Sequence, residues 1–149
     1  MPNVLYYRLR ILFFALAFAA VASSAGCSVP NMESPECQQA RSAAKRFYSF
    51  HFGSEMRRDQ DTLKLRERFL TPELFKALSK MEFDGSDYFT ASAEPPKTFK
   101  IGACNLVNSG RADMQVQIFW RDDNSTVQDE VYAEMIEMNG SWLVNRVVK

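Results

Sequence analysis

His51 is the only histidine in the chain. A lone imidazole can act as a general base when an acid orients it and a second proton carrier shares the site. Tyr48 lies about one helical turn earlier, so Tyr48 and His51 together make the sharpest acid/base reading on offer. No acid stands at a fixed spacing to orient His51. The plainer reading is a partly buried residue at a helix end, where its charged form favours the C-terminal dipole. Asp113, Asp129 and Glu134 are further carboxylates, but they fall on alternating segments, where spare acids usually face solvent. Trp120 and Trp142 read either as walls of a pocket or as the core of a small domain. The candidate pocket residues are Tyr48, His51, Tyr88, Tyr132 and Trp142, and none of them is assigned a catalytic role.

Metal and cofactor chemistry find little support. With one histidine, no histidine pair stands at i, i+4, and no two cysteines stand at C-x-x-C spacing. Asp122-Asp123-Asn124 is oxygen-rich but lacks the glycine and distal acid of a calcium loop, and reads as hairpin chemistry. No G-x-G-x-x-G stretch occurs to cradle a phosphate. Neither a metal nor a cofactor is expected. Eighteen basic residues balance eighteen acidic ones, and no Lys/Arg run exceeds Arg57-Arg58. Nucleic acid is therefore not an expected partner, because its footprint needs a clustered basic excess.

Cysteine is the remaining reactive type, at positions 27, 37 and 104. Arg8 and Arg10 precede an apolar run from Ile11 to Ala22, too short to span a bilayer and suited to a signal-peptide core. The small residues Ser23-Ser24-Ala25-Gly26 then lead to Cys27. This segment resembles the bacterial lipoprotein signal, which implies lipid on Cys27 and a membrane anchor. It departs from that pattern at Ser24, where leucine is usual. An ordinary secretory peptide cut after Ala25 is the alternative. If Cys27 carries lipid, Cys37 and Cys104 are an even pair in an oxidising compartment, and a disulfide between them is expected; two unrelated buried thiols are the other reading. Ser28, rather than aspartate, follows Cys27, which by the same resemblance leans toward the outer membrane. Loss of residues 1–26 removes Arg8 and Arg10 and no acid, leaving a net charge of −2.

The elements that would position these residues divide the chain in two. Ser34-Pro35-Glu36 is a helix start, with a capping serine, proline at the first helical position and an acid in the first turn. The helix is predicted to reach about Phe52, with Cys37, Ala40, Ala44, Phe47, Tyr48 and His51 on one stripe and Phe50 broadening it. A second helix is predicted over Thr62–Leu70, with Leu63, Phe69 and Leu70 inside and Lys64, Arg66, Glu67 and Arg68 as a solvated face. Thr71-Pro72-Glu73 starts a third, to about Met81, burying Leu74, Phe75, Leu78 and, at its end, Met81. Phe83 to Pro96 is an irregular crossing.

Strands fill the remainder. Thr98–Leu106 puts Phe99, Ile101 and Ala103 on one face, and Gly102 suggests a bulge or a close approach. Arg111–Trp120 alternates cleanly, with Ala112, Met114, Val116, Ile118 and Trp120 on its dry face. Thr126–Met138 is apolar on both sides, as in a strand covered on both faces or strongly bent. Asn139-Gly140 is a tight hairpin signal, and Ser141–Val148 closes the sheet. The layout is α+β.

Three details carry a family resemblance: Phe47-Tyr48 in the first helix, Asp87-Tyr88-Phe89 in the crossing, and Gly140-Ser141-Trp142 entering the last strand. In this order of elements they resemble a branch of bacterial envelope proteins within the nuclear transport factor 2-like superfamily. Relatives often have proline where Tyr88 stands. The resemblance implies three N-terminal helices packed in a strongly curved antiparallel sheet of about four strands, shaped as a cone. The division expected is a signal peptide over 1–26, a tether over 27–34 and the domain over 35–149. The function expected is a non-enzymatic envelope lipoprotein. It would be anchored through Cys27 and bind a small apolar ligand in the cone or an envelope protein on the sheet. A small isomerase- or hydrolase-type enzyme, with acid/base groups inside the cone, is the alternative.

Overall fold

Alternation in Arg111–Arg121 has its full structural consequence: Ala112, Met114, Val116 and Ile118 are completely buried, and the residues between them are half-exposed. A computed structural model describes residues 33–54, 60–82, 84–121 and 126–149. The expected signal peptide, Cys27, nearly all of the expected tether and residues 122–125 lie outside the described residues.

The architecture is α+β, three helices followed by a four-stranded antiparallel sheet. Helix α1 runs over Pro35–Gly53. Helix α2 covers Gln60–Arg66 and passes into a 3-10 turn, Glu67–Phe69. Helix α3 covers Pro72–Leu78. Strands β1 (Thr98–Asn108), β2 (Arg111–Arg121), β3 (Thr126–Met138) and β4 (Ser141–Val148) follow in simple meander order.

Both proline-led helix starts form as their sequences require. Ser34 Oγ accepts from Cys37 N at 3.2 Å, and Thr71 Oγ1 accepts from Leu74 N at 3.2 Å. Each satisfies an amide that the helix itself leaves without a partner. Ala40 and Ala44 are wholly buried, so α1 lies close on the sheet and touches every strand. Phe47 and Tyr48 fill the space beneath it. The stripe expected from sequence is buried throughout, with Ala43 added.

Strand β1 departs from the predicted alternation. Ile101 pairs with Val116 and Cys104 with Met114, so Gly102 and Ala103 together face Gln115. That is a bulge, which reverses the inside–outside phase. Ala103 is exposed as a result, and Cys104 takes the inward place expected of it. The bulge is held from both sides. Arg41 of α1 donates to the carbonyls of Gly102 at 2.6 Å and Ile101 at 3.3 Å, and is itself paired with Glu33. That pairing holds the Glu33 carboxyl below its usual range. Gln115 Oε1 accepts from Ala103 N at 3.1 Å, while its amide donates to Glu130 at 2.6 Å.

A Cβ on residue 102 would stand 2.2 Å from Gln115 Oε1. Gly102→Ala is expected to displace that side chain and lose both of its bonds, costing about 1–2 kcal/mol. The cost should fall by at least half in a Gln115→Ala background, because the obstacle is then gone. Urea midpoints of the four proteins test this, and additive losses would contradict the account.

A second bulge shapes β4. Met135 pairs with Val144 and Glu134 with Arg146, which leaves Asn145 as the extra residue. Its amide donates to Glu134 Oε1 at 2.5 Å, and its carbonyl accepts from Thr71 Oγ1 at 3.0 Å. The start of α3 is thereby tied to the sheet, with Thr71 N donating to Val144 O at 2.9 Å.

Three other expectations are corrected. Helix α3 stops at Leu78, and Met81 is 56% exposed. The outer face of β3 is open at Tyr132, which is 39% exposed, so the strand is not covered on both sides along its whole length. Arg66 is buried rather than part of a solvated face.

Candidate functional site

The last turn of α1 carries His51 inward, because positions 44, 47, 48 and 51 share the stripe that meets the sheet. Its imidazole is 1% exposed and lies almost parallel to the Phe47 ring, with centroids 5.8 Å apart. Phe89 meets it edge-on at 5.1 Å. Both ring nitrogens are used. Arg66 Nε, from the last turn of α2, donates to Nδ1 at 2.9 Å. Nδ1 is therefore the acceptor, and Nε2 carries the proton and donates it to Asp87 Oδ2 at 2.8 Å. Thr90 Oγ1 donates to the same oxygen at 2.8 Å. Asp87 and Thr90 are buried as well.

The order Arg66–His51–Asp87 resembles a catalytic relay in its chemistry, since an acid orients an imidazole. Its environment argues otherwise. An activating base needs a free ring nitrogen facing substrate, and here both are occupied within the protein. The cluster instead joins α1, α2 and the crossing into one buried polar knot. Satisfied polar groups of this kind fix a unique arrangement of the elements that supply them.

The candidate pocket residues are divided between the two faces of the sheet. Tyr48 is wholly buried and donates to Phe89 O at 3.0 Å; burial, with the Asp87 charge adding to it, pushes its phenol far above the ordinary range. Tyr88 is half-buried, and its hydroxyl accepts from Val147 N at 3.2 Å. Trp142 is core, with Nε1 donating to Gln39 at 3.3 Å. Tyr132 stands on the opposite face of the sheet and donates to Glu130 at 2.9 Å. It is removed from the pocket by the same alternation that sends Val131 and Ala133 inward.

The spare carboxylates are engaged elsewhere. Glu134 takes Arg111, Arg146 and Asn145 on the outer face, across from Asp113. Asp129 is paired with Lys149, which keeps its carboxyl below the usual range.

A metal reading fares no better. Glu33, Cys37 and Cys104 bring ligand atoms within 4.8 Å of one another. However, Cys37 and Cys104 are joined in a disulfide, with Cα atoms 5.9 Å apart. Disulfide sulfurs are not thiolates, so the oxidised chain offers only Glu33, which Arg41 already holds. The pairing is the one expected from the cysteine count, and it is compatible with an extracytoplasmic protein. Among the described residues, no helix is long and apolar enough to cross a membrane.

Sequence reasoning missed Asp87, Arg66 and Thr90. Asp87 is 36 residues from His51 in an irregular segment, so no spacing rule reaches it. Arg66 did leave a signal. Leu63, Arg66 and Leu70 follow a 3-then-4 spacing that puts Arg66 on the inner stripe.

No protein-family model matches the chain, and no curated protein matches it. A crystal structure of a protein of unknown function from Bacteroides thetaiotaomicron VPI-5482 is similar, with a TM-score of 0.52 and 13% identity. The match covers 76% of this chain and 91% of the other. At that identity the likeness concerns the fold alone.

Proposed function

We propose that the chain is a lipid-anchored, non-catalytic binding module of the bacterial envelope, built on a nuclear transport factor 2-like cone. The observation that carries the anchor is the Cys37–Cys104 disulfide. It accounts for two of three cysteines and leaves Cys27, directly behind the apolar run and its small residues. The cone reading draws support from helices followed by a four-stranded meander, and from bulges in β1 and β4, which bend strands.

The non-catalytic half rests on the knot around His51. Its titratable groups are buried and bonded to one another, and Tyr48 is unsuited to proton transfer near neutral pH. An isomerase or hydrolase would need at least two such groups facing an open cavity. Binding through the surface fits this interior better than binding an apolar ligand within it. Ser28 after Cys27 favours the outer membrane.

Mass spectrometry of the mature protein tests the anchor. A mature chain beginning at Cys27 and carrying a diacylglyceryl adduct is expected, with no free thiol at Cys37 or Cys104. Cys27→Ser should leave uncleaved precursor. A mature chain beginning at Gly26 with an unmodified Cys27 refutes the anchor.

A further inference from the structure

Helix α1 has a second stripe, half a turn from the buried one. Ser42, Lys45, Arg46, Ser49 and Phe50 follow the i, i+3, i+4, i+7, i+8 spacing of one face. With Arg68 and Phe69 from the 3-10 turn they line an open groove with a volume of about 730 Å³. That volume suits a small organic ligand.

We propose that this groove binds an organic anion, a phosphate or carboxylate joined to an apolar body. Three cations converge there, and no acidic side chain is among the described lining residues. Like charges gathered with no acid among the described lining residues repel, and an anion between them relieves that repulsion. Arg68 is also pre-oriented. Its guanidinium carbon lies over the Phe69 ring at 4.7 Å and the Phe50 ring at 5.1 Å from the ring centres. A guanidinium held by ring faces keeps N–H donors for a phosphate or carboxylate. The half-buried rings of Phe50 and Phe69 give the same groove an apolar wall. The Ser42 hydroxyl is spent on Gln38 O at 2.8 Å, so Ser49 is the neutral polar group beside the cations. The stripe spans about 12 Å of helix, too short to grip a long polyanion and long enough for a head group with a ring or short chain.

The chemistry is shared by a free aryl or acyl phosphate and by the head group of an anionic lipid. This inference rests on the binding-module reading but not on the anchor. The Cys27 adduct mass, read on the same preparation, separates the failure of one from the failure of the other.

The test is calorimetric titration of the full chain in neutral maltoside micelles. Phenyl phosphate should bind saturably, inorganic phosphate about tenfold more weakly, and benzyl alcohol not at all. Raising NaCl from 0.05 to 0.5 M should weaken phenyl phosphate by about tenfold, since the groove is open to screening. Arg68→Gln should cost about tenfold, and the double change Lys45→Gln with Arg46→Gln at least as much. The double variant alters only exposed groups of α1, so it tests the groove even where Arg68→Gln loosens the turn. Lys100→Gln, an exposed cation on β1, should change nothing. A short-chain phosphatidate binding more tightly than phenyl phosphate identifies the lipid head group as the source, and weaker binding identifies the free ester. Absence of saturable phenyl phosphate binding overturns the proposal, as does equal affinity for inorganic phosphate or an unchanged affinity in the double variant.

Discussion

Asp87→Ala is expected to destabilise the fold by about 3–5 kcal/mol, the range for removing one partner from a buried charged network. The carboxylate accepts from both His51 Nε2 and Thr90 Oγ1, and all three residues are buried. Truncation leaves two donors without that acceptor in a dry site, and each unmet donor costs about 1–3 kcal/mol. It also leaves the Arg66 charge, 3% exposed, with less negative charge near it. Asp87→Asn should cost less, about 1.5–3 kcal/mol, because its carbonyl can still accept while the charge is lost.

The pair of changes Asp87→Ala and Arg66→Met makes the argument sharper. If the penalty is mainly that of an unbalanced buried charge, removing Arg66 as well should recover part of it. Urea unfolding of the four proteins gives these differences at constant slope. A loss under about 1 kcal/mol for Asp87→Ala would mean that water reaches the knot, and His51 would then return as a candidate base.

The knot also marks where the sequence stops being legible. Periodicity is a local signal, and it located what depends on local geometry. The buried stripe of α1, the two-faced β2 and the Asn139-Gly140 turn all follow from rules acting within a few residues. Asn139 does adopt positive φ, 53°, as that turn requires. Gly102 was readable as a bulge, but the effect on phase was not. Continuing the alternation past it put Ala103 inside, when the extra residue hands that place to Cys104.

Arg66 failed for a different reason. Charge alone implies solvent, although the position lies on the apolar stripe between Leu63 and Leu70. A buried arginine is stable only through its partners, and one of these, His51, lies on another helix. Tyr132 failed because β3 is apolar on both sides, and no rule in the sequence says which side meets a helix. The cationic groove was hidden in plain view: its residues share a helical face, but the wall that makes it a groove comes from Arg68 and Phe69.

Reducing the Cys37–Cys104 bond, or replacing both residues with alanine, should lower stability by about 4 kcal/mol. The bond closes a loop of 67 residues, and on the chain-entropy model opening it frees the unfolded chain by that amount. The native state should change little, because other contacts already fix both ends. Ser34 caps the turn that holds Cys37, and Arg41 grips the bulge carbonyls just before Cys104. The loss therefore falls on the unfolded state, which makes it separable from a packing defect. An opened chain expands further in urea, so the slope of unfolding should rise as the midpoint falls. A packing defect would lower the midpoint at constant slope. Hydrogen exchange should quicken first in β1 and the opening turn of α1, where the tie is lost. A domain of this size holds only about 5–15 kcal/mol in all, so 4 is a large share. In a reducing compartment the chain would forgo it, so the disulfide is compatible with an extracytoplasmic protein. A midpoint unchanged by reductant, with both thiols then free to alkylation, would end this account.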